Sequence, residues 1–560
     1  MTSDAFHNSD SDDEPDSAIM HDTSEYDFRL EYHPDELHLI IKRNDTLGLL
    51  RYNERAKERG DDIFSRVKVS LFGYYPLPPF YSAADYGSLD ALRALINLYQ
   101  SNPAHSQQPL EKYLQGLDFR MLNLACGNAD RKMTRFLLDH QPPLGAWRDQ
   151  DAKGATPLVC AAQAFPGNVQ ALTRNMKETS PPMIREKLRE HHARYGEFIE
   201  FCLASGASVR EADQYMLPYQ LGRQAQPGDQ EILGDTVLGN VVTRASYAMV
   251  SRLIAAGADA HVVQTWYDPC GFGHGLRCGG VTPLHIASQH WNLDAIQALV
   301  DHRGRIGQTE MVTRRDDNGL PPLHWALMGD KDEIATLTPS EVTSRLLRTV
   351  KLLLDIGPAM VNVKDQANKT VLHYAVDSHV GDADCLEALL DILIMHGADP
   401  TVCDEAGRTM LYPLTMIGTD ISPIDAETLE KILTLVDINN ADVKGDTVLH
   451  WIARRLPQTH AVRIPLSRGA NVNAVNKKGN TPLHLAVGAS IFPRGRRMDD
   501  GKIVETPLEE GFEALEKMIE ILQDAGASMD QANLAGETPR EILQETRERW
   551  TRGDFSPRWR

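Results

Sequence analysis

No stretch of roughly 18 consecutive apolar residues occurs in the 560-residue chain, so no membrane-spanning helix is expected. Cysteine is scarce. The seven residues (126, 160, 202, 270, 278, 385 and 403) are odd in number and scattered, which argues against a disulfide framework and for a reduced, intracellular protein. Positive charge is in deficit, with 58 Lys and Arg against 78 Asp and Glu and a net charge of −20. Broad nucleic-acid binding needs a cationic face and is not expected, although a local basic patch can hide in an acidic total. No G-x-S-x-G, H-E-x-x-H, kinase or Walker pattern appears, and no pair of carboxylates stands out. No catalytic residue is therefore assigned, no cofactor is expected, and the chain reads as a non-enzyme. The opening MTSDAFHNSDSDDEPDS lacks the cationic start and apolar core of a secretory signal. Cytoplasm or nucleus is the expected location.

What is present is ample core-forming material, 42% hydrophobic with 24% charged residues. The first 36 residues hold twelve acids and one base, Arg29. Such a segment cannot bury enough apolar surface to offset its ordering entropy, and 1–35 is expected to be a disordered acidic tail. Beyond it the chain repeats. Motif leucines fall at Leu284, Leu323, Leu372, Leu411, Leu449 and Leu483, in steps of 39, 49, 39, 38 and 34 residues. GATPLVCAA (154–162) and GDTVLGNVV (234–242) are weaker copies, and 36–140 holds degenerate ones. GETPREIL (536–543) puts Arg540 at the leucine position, a polar replacement suited to a terminal cap.

Each copy has the same internal order. A turn such as DDNG (316–319), DVKG (442–445) or NKKG (476–479) starts with Asp or Asn, whose side chain can hold it. Its fourth residue is expected at positive φ, with Asn368 replacing Gly in DQAN. Thr then sits at a helix N-cap and Pro at the first helical position. A second helix follows and often ends in Gly-Ala. The turn, the T-P-L-H-x-A start and the G-A-D finish resemble the ankyrin-repeat family. The resemblance implies an all-α ankyrin-repeat solenoid of about ten to twelve units, with short β-hairpin finger loops and long insertions. The expected divisions are the tail 1–35, degenerate repeats 36–140, repeats 141–262 with an insertion at 163–192, repeats 263–545 with insertions at 262–279, 328–344 and 488–512, and a C-terminal tail 546–560.

Five histidines (His285, His324, His373, His450 and His484) share one motif position. Equivalent positions in stacked units lie about 10 Å apart, whereas a metal holds nitrogen ligands at about 2.1 Å, so they cannot share an ion. Five copies of one residue also supply no distinct acid, base and nucleophile. The family resemblance implies instead that each bonds across its turn and between units. The loop TWYDPCGFGHGLRCGG (265–280) places Cys270, His274 and Cys278 at C-x3-H-x3-C spacing, a partial zinc set for which His285 is a conceivable fourth ligand. A long hairpin finger with two reduced cysteines is the preferred reading.

Partner-binding candidates are Trp291, Gln289, Asp377, Arg454 and Arg455. Trp291 occupies an inter-helix turn where the family has Gly, so partial exposure is expected, as in a binding hot spot. Trp325, Trp451 and Tyr374 are read as core. The expected function is a monomeric scaffold or adaptor that binds a protein of basic or mixed charge on its concave face, with neither nucleic acid nor membrane as a partner. The alternatives are a substrate-recognition subunit of a ubiquitin ligase and a zinc-binding or enzymatic protein using the 262–279 loop.

Overall fold

The Asp or Asn that opens each turn folds its side chain back onto the backbone. The computed structural model describes residues 36–64, 69–70, 73–74, 78–117, 119–151, 154–167, 180–210, 212–214, 233–267, 277–329, 337–379, 382–412, 426–489, 496–497, 503–504, 508–554 and 558. In it Asp442 Oδ1 accepts the N–H groups of Lys444 and Asp446 at 2.8 and 2.9 Å. Asn476 Oδ1 accepts those of Lys478 and Asn480 at 2.9 and 3.0 Å. The fourth residue lies in the left-handed region, with φ of 82° at Gly445 and 58° at Asn368. Close approach adds to the demand for glycine: a Cβ on Gly445 would stand 2.9 Å from the Lys477 nitrogen of the next turn. Successive turns are joined edge to edge. Val443 N–H donates to Ala406 O (2.8 Å), Lys477 N–H to Lys444 O (2.9 Å) and Leu534 N–H to Lys478 O (3.1 Å).

The described residues fall into two compact units, within 36–105 and 106–558. The first holds the helix pairs Glu36–Lys42 with Thr46–Glu58 and Pro79–Asp85 with Leu89–Ser101. Its core includes Ile41, Leu49, Phe80 and Leu92.

The second unit is an all-α solenoid of stacked helix pairs with short antiparallel hairpins. First helices such as Pro322–Met328, Val371–His379, Val448–Ala453 and Pro482–Val487 each begin just after a turn, and Pro283–Gln289 begins just after the hairpin strand Arg277–Val281. Consecutive ones pack on one another. The six motif leucines are at most 1% exposed, which places the repeat's apolar position at the interface between units.

Where the insertions are described, they extend helices and form hairpin strands. Residues 181–192 form the first half of the long helix Pro181–Ala204, and 339–344 begin Pro339–Ile356. Arg185 and Glu341, at 2.6 Å, tie these two extensions together. Within 262–279, Gln264–Tyr267 pairs antiparallel with Arg277–Val281, with Trp266 opposite Cys278. The final segment departs from expectation. Residues 546–551 are not a tail but the end of helix Pro539–Thr551, because Trp550 buries its ring against Phe512.

Gly445→Ala is expected to destabilise more than Gly397→Ala. Both residues have positive φ, which costs a Cβ-bearing residue about 1 kcal/mol. Only Gly445 also has the neighbouring turn in contact range, Gly397 having open space. Urea or thermal unfolding followed by circular dichroism measures the difference.

Candidate functional site

The third residue of a first helix stands beside the next unit's N-cap, and its chemistry decides how two units join. The Thr282 backbone N–H donates to His285 Nδ1 at 3.2 Å, and the Thr282 hydroxyl lies 2.8 Å from the same nitrogen. An accepting Nδ1 carries no proton, so the ring is the Nε2–H tautomer. Nε2 then donates to Leu320 O at 3.1 Å, the carbonyl just before the next N-cap. His373, His450 and His484 repeat the arrangement, reaching Arg408 O, Asn480 O and Glu537 O at 3.1, 3.0 and 3.2 Å. All four are buried, and burial pushes each imidazole below its ordinary pKa, to about 4 for His285. They are neutral structural groups, and His285 has no nitrogen left for a metal.

Other residue types fill the same position. Tyr412 donates its hydroxyl to Asp446 O at 2.6 Å, and Asn123 its amide to Ala155 O at 2.6 Å. These carbonyls also directly precede an N-cap threonine, Thr447 or Thr156. At Gly239 the missing side chain is replaced from the following hairpin, where the Gln264 amide occupies the space and accepts the Thr236 hydroxyl at 2.5 Å. Val159 makes no such bond.

His324 departs from the expected role. Its ring is fully buried, yet neither nitrogen has a hydrogen-bond partner. For Nδ1 the reason lies three residues back. Pro321 stands at the N-cap, with neither an N–H nor a hydroxyl to offer. Burial, with Arg315 and His373 nearby, pushes this imidazole down to about 3. Its remaining contact is an edge-to-face packing on Tyr374 at 5.2 Å.

Trp291 is not exposed. It is 2% accessible, at φ 49°, and its indole N–H donates to Ala326 O of the next unit at 2.8 Å. The ring lies where a Cβ on Gly329 would be, 2.6 Å from Cζ2, so the missing side chain at 329 makes room for it. Gln289 is also buried, whereas Asp377, Arg454 and Arg455 are half-buried. Gln289, Asp377 and Arg454 each lie seven residues after the first-helix N-cap position, so they share one register in three units. Arg454 places its guanidinium over the Trp451 ring at 5.4 Å. Trp325 and Tyr374 are core, and each ties back to its own turn: Trp325 Nε1 donates to Asp316 Oδ2 (2.9 Å) and Tyr374 OH to Asp365 Oδ2 (2.7 Å).

Cys270 and His274 lie outside the described residues. Cys278 is buried in the next turn, accepting from Asn318 Nδ2 at 3.3 Å and lying 3.5 Å from Asp316 Oδ2. Among the described residues no group of three or more His, Cys, Asp and Glu is placed to hold a metal. Nor is any described helix long and apolar enough to cross a membrane.

Comparison with known proteins fits this architecture. Residues 238–345 match the family model "Ankyrin repeats (3 copies)", and 368–405 match "Ankyrin repeat". Human NF-kappa-B inhibitor zeta is 23% identical over 325 residues, covering 55% of this chain and 37% of that protein. Human palmitoyltransferase ZDHHC13 is 26% identical over 215 residues, covering 38% of this chain and 29% of that protein. The chain thus matches well under half the length of either. The ankyrin repeat domain of Bcl-3, described as a member of the IkappaB protein family, aligns at 25% identity and a TM-score of 0.34, over 48% of this chain and 99% of that one.

Replacing His285 by Leu strands the Thr282 N–H and the Leu320 carbonyl and should cost about 2–4 kcal/mol. His324→Leu removes two unpaired buried nitrogens and should be neutral or stabilising, which urea unfolding of the two variants decides. Stability should also fall with acid. Above pH 6.5 the four bonded histidines are neutral in both states. Below it the unfolded chain takes up protons that the fold excludes, and for His285 the loss reaches roughly 3 kcal/mol by pH 4. Unfolding midpoints measured across that range check the slope.

Proposed function

We propose that this ankyrin-repeat chain is a protein-binding scaffold that holds and masks a partner on the face formed by its finger turns and first helices. The observation that carries the reading is the double tie between units, from turn to turn and from helix to N-cap carbonyl. A surface fixed at both edges loses little freedom on binding, so its contacts convert efficiently to affinity. Four of the motif histidines, His285, His373, His450 and His484, and Cys278 are occupied in this framework, which supports a non-catalytic role. NF-kappa-B inhibitor zeta is by its name an inhibitor of another protein, and masking extends that mode to this chain. The partner is a protein of mixed charge, met by a monomeric scaffold in the cytoplasm or nucleus, with neither nucleic acid nor membrane involved.

Asp377 and Arg454, in the shared first-helix register, and Arg455 next to it are the proposed contacts. Gln289 and Trp291 are buried and are not proposed as contacts. Affinity purification of the tagged chain from its own cells, with mass spectrometry, tests the reading. A specific protein should be captured by the native chain, and at least tenfold less by Arg454→Ala/Arg455→Ala with folding intact by circular dichroism. Capture unchanged by the double variant would move the contact elsewhere, and absence of any specific protein would overturn the scaffold reading. Trp291→Ala is not a binding probe. It should lower stability by about 3–5 kcal/mol through the cavity it leaves between units, read by thermal unfolding.

A further inference from the structure

The turn tips change character along the stack. The second and third residues of successive turns are Asp317 and Asn318, Gln366 and Ala367, Glu405 and Ala406, then Val443 and Lys444, Lys477 and Lys478, Leu534 and Ala535. The first three tips carry acid or no charge, and the last three carry lysine and aliphatic side chains. This is part of a wider reversal. Residues 440–504 contain eleven Lys and Arg against four acids, Asp442, Asp446, Asp499 and Asp500, in a chain of net charge −20.

Two of those acids do not offset the lysines at the surface. Asp442 is buried and its Oδ1 accepts two turn N–H groups, while Asp446 is buried and accepts from Asn476 Nδ2 at 2.7 Å. Lys444, Lys477 and Lys478 are exposed, and none forms an ion pair among the described residues. Beside them stand three aliphatic side chains that the fold leaves in water: Val443 (51% exposed), Val475 (54%) and Leu534 (80%). The turn-to-turn hydrogen bonds place the three tips next to one another in a fixed row.

We propose that this row is the docking edge for an acidic, aliphatic-bearing protein segment. The proposal rests on the scaffold reading and specifies the chemistry of one stretch of the partner. The interleaving decides between ligand classes. A nucleic-acid backbone would use the lysines, but it would leave Val443, Val475 and Leu534 unpaired. A segment alternating carboxylates with aliphatic side chains uses both features. At about 3.3 Å per residue, some six extended residues span three tips spaced by roughly 10 Å.

The test uses the full chain and fluorescence anisotropy. The probes are a labelled peptide of about that length alternating Glu with Leu, its Glu-to-Lys counterpart, and a single-stranded oligonucleotide of matching length. The native chain should bind the acidic peptide best, and more weakly as salt is raised. Lys444→Glu/Lys477→Glu/Lys478→Glu should lose at least tenfold. A charge-matched control, Lys132→Glu/Lys351→Glu/Lys517→Glu, should change less than twofold. Unchanged thermal unfolding shows that the variants are folded. No binding of the acidic peptide by the native chain, equal loss in the control, or tighter binding of the oligonucleotide would each overturn the proposal. Partner capture by the native chain is measured in parallel, so an acidic peptide that fails while capture persists removes this inference and leaves the scaffold reading standing.

Discussion

The side chain three residues into a first helix spans the gap to the next unit and donates to the carbonyl just before its N-cap. In His285, His373, His450 and His484 the same ring accepts its own unit's N-cap N–H on the opposite nitrogen. One imidazole thus satisfies a donor that the helix start would leave orphaned and an acceptor that the interface would bury. Each such bond contributes only about 1 kcal/mol net, but leaving either group unpaired costs more. The arrangement therefore sets register more than it adds stability. Sliding one unit against its neighbour would strand two polar groups at each of the four histidine-bridged interfaces.

The position tolerates any donor that reaches the carbonyl. Tyr412 does so with a hydroxyl and Asn123 with an amide, and where Gly239 cannot, Gln264 arrives from the adjoining hairpin to occupy the space. His324 shows the converse, since the right residue without its threonine gains nothing. The two-sided bond of the histidine units needs a pair of groups, the ring and a capping threonine ahead of it, whereas Asn123, behind Arg120, reaches the carbonyl alone.

Much of this frame was legible from residue order alone. Asp-x-x-Gly, Thr-Pro and the leucine spacing are local signals, and local signals are what periodicity and capping rules read. The core leucines and the left-handed turn residues stand where those rules put them. The candidate site was less legible, because exposure depends on what another unit lacks. Trp291 in a turn looks exposed until Gly329, 38 positions later, is seen to leave space for its ring. That glycine, at the equivalent end of the next first helix, was the available signal. The role of Gln264 and the folding of 546–551 into the last helix likewise depend on pairings that one sequence does not align. The charge reversal among the tips was readable residue by residue, but only the turn-to-turn bonds show that those residues form a single row.

The account rests on four neutral imidazoles with the proton on Nε2. Long-range 1H–15N NMR on histidine-labelled protein reads the tautomer and charge of each ring directly. The prediction is that His285, His373, His450 and His484 are all neutral Nε2–H rings at pH 7.5, and that His285, pushed down to about 4, is still neutral at pH 5.5. Rings carrying the proton on Nδ1, or a charged His285 at pH 5.5 in the folded protein, would contradict the inter-unit hydrogen bond on which the stack depends.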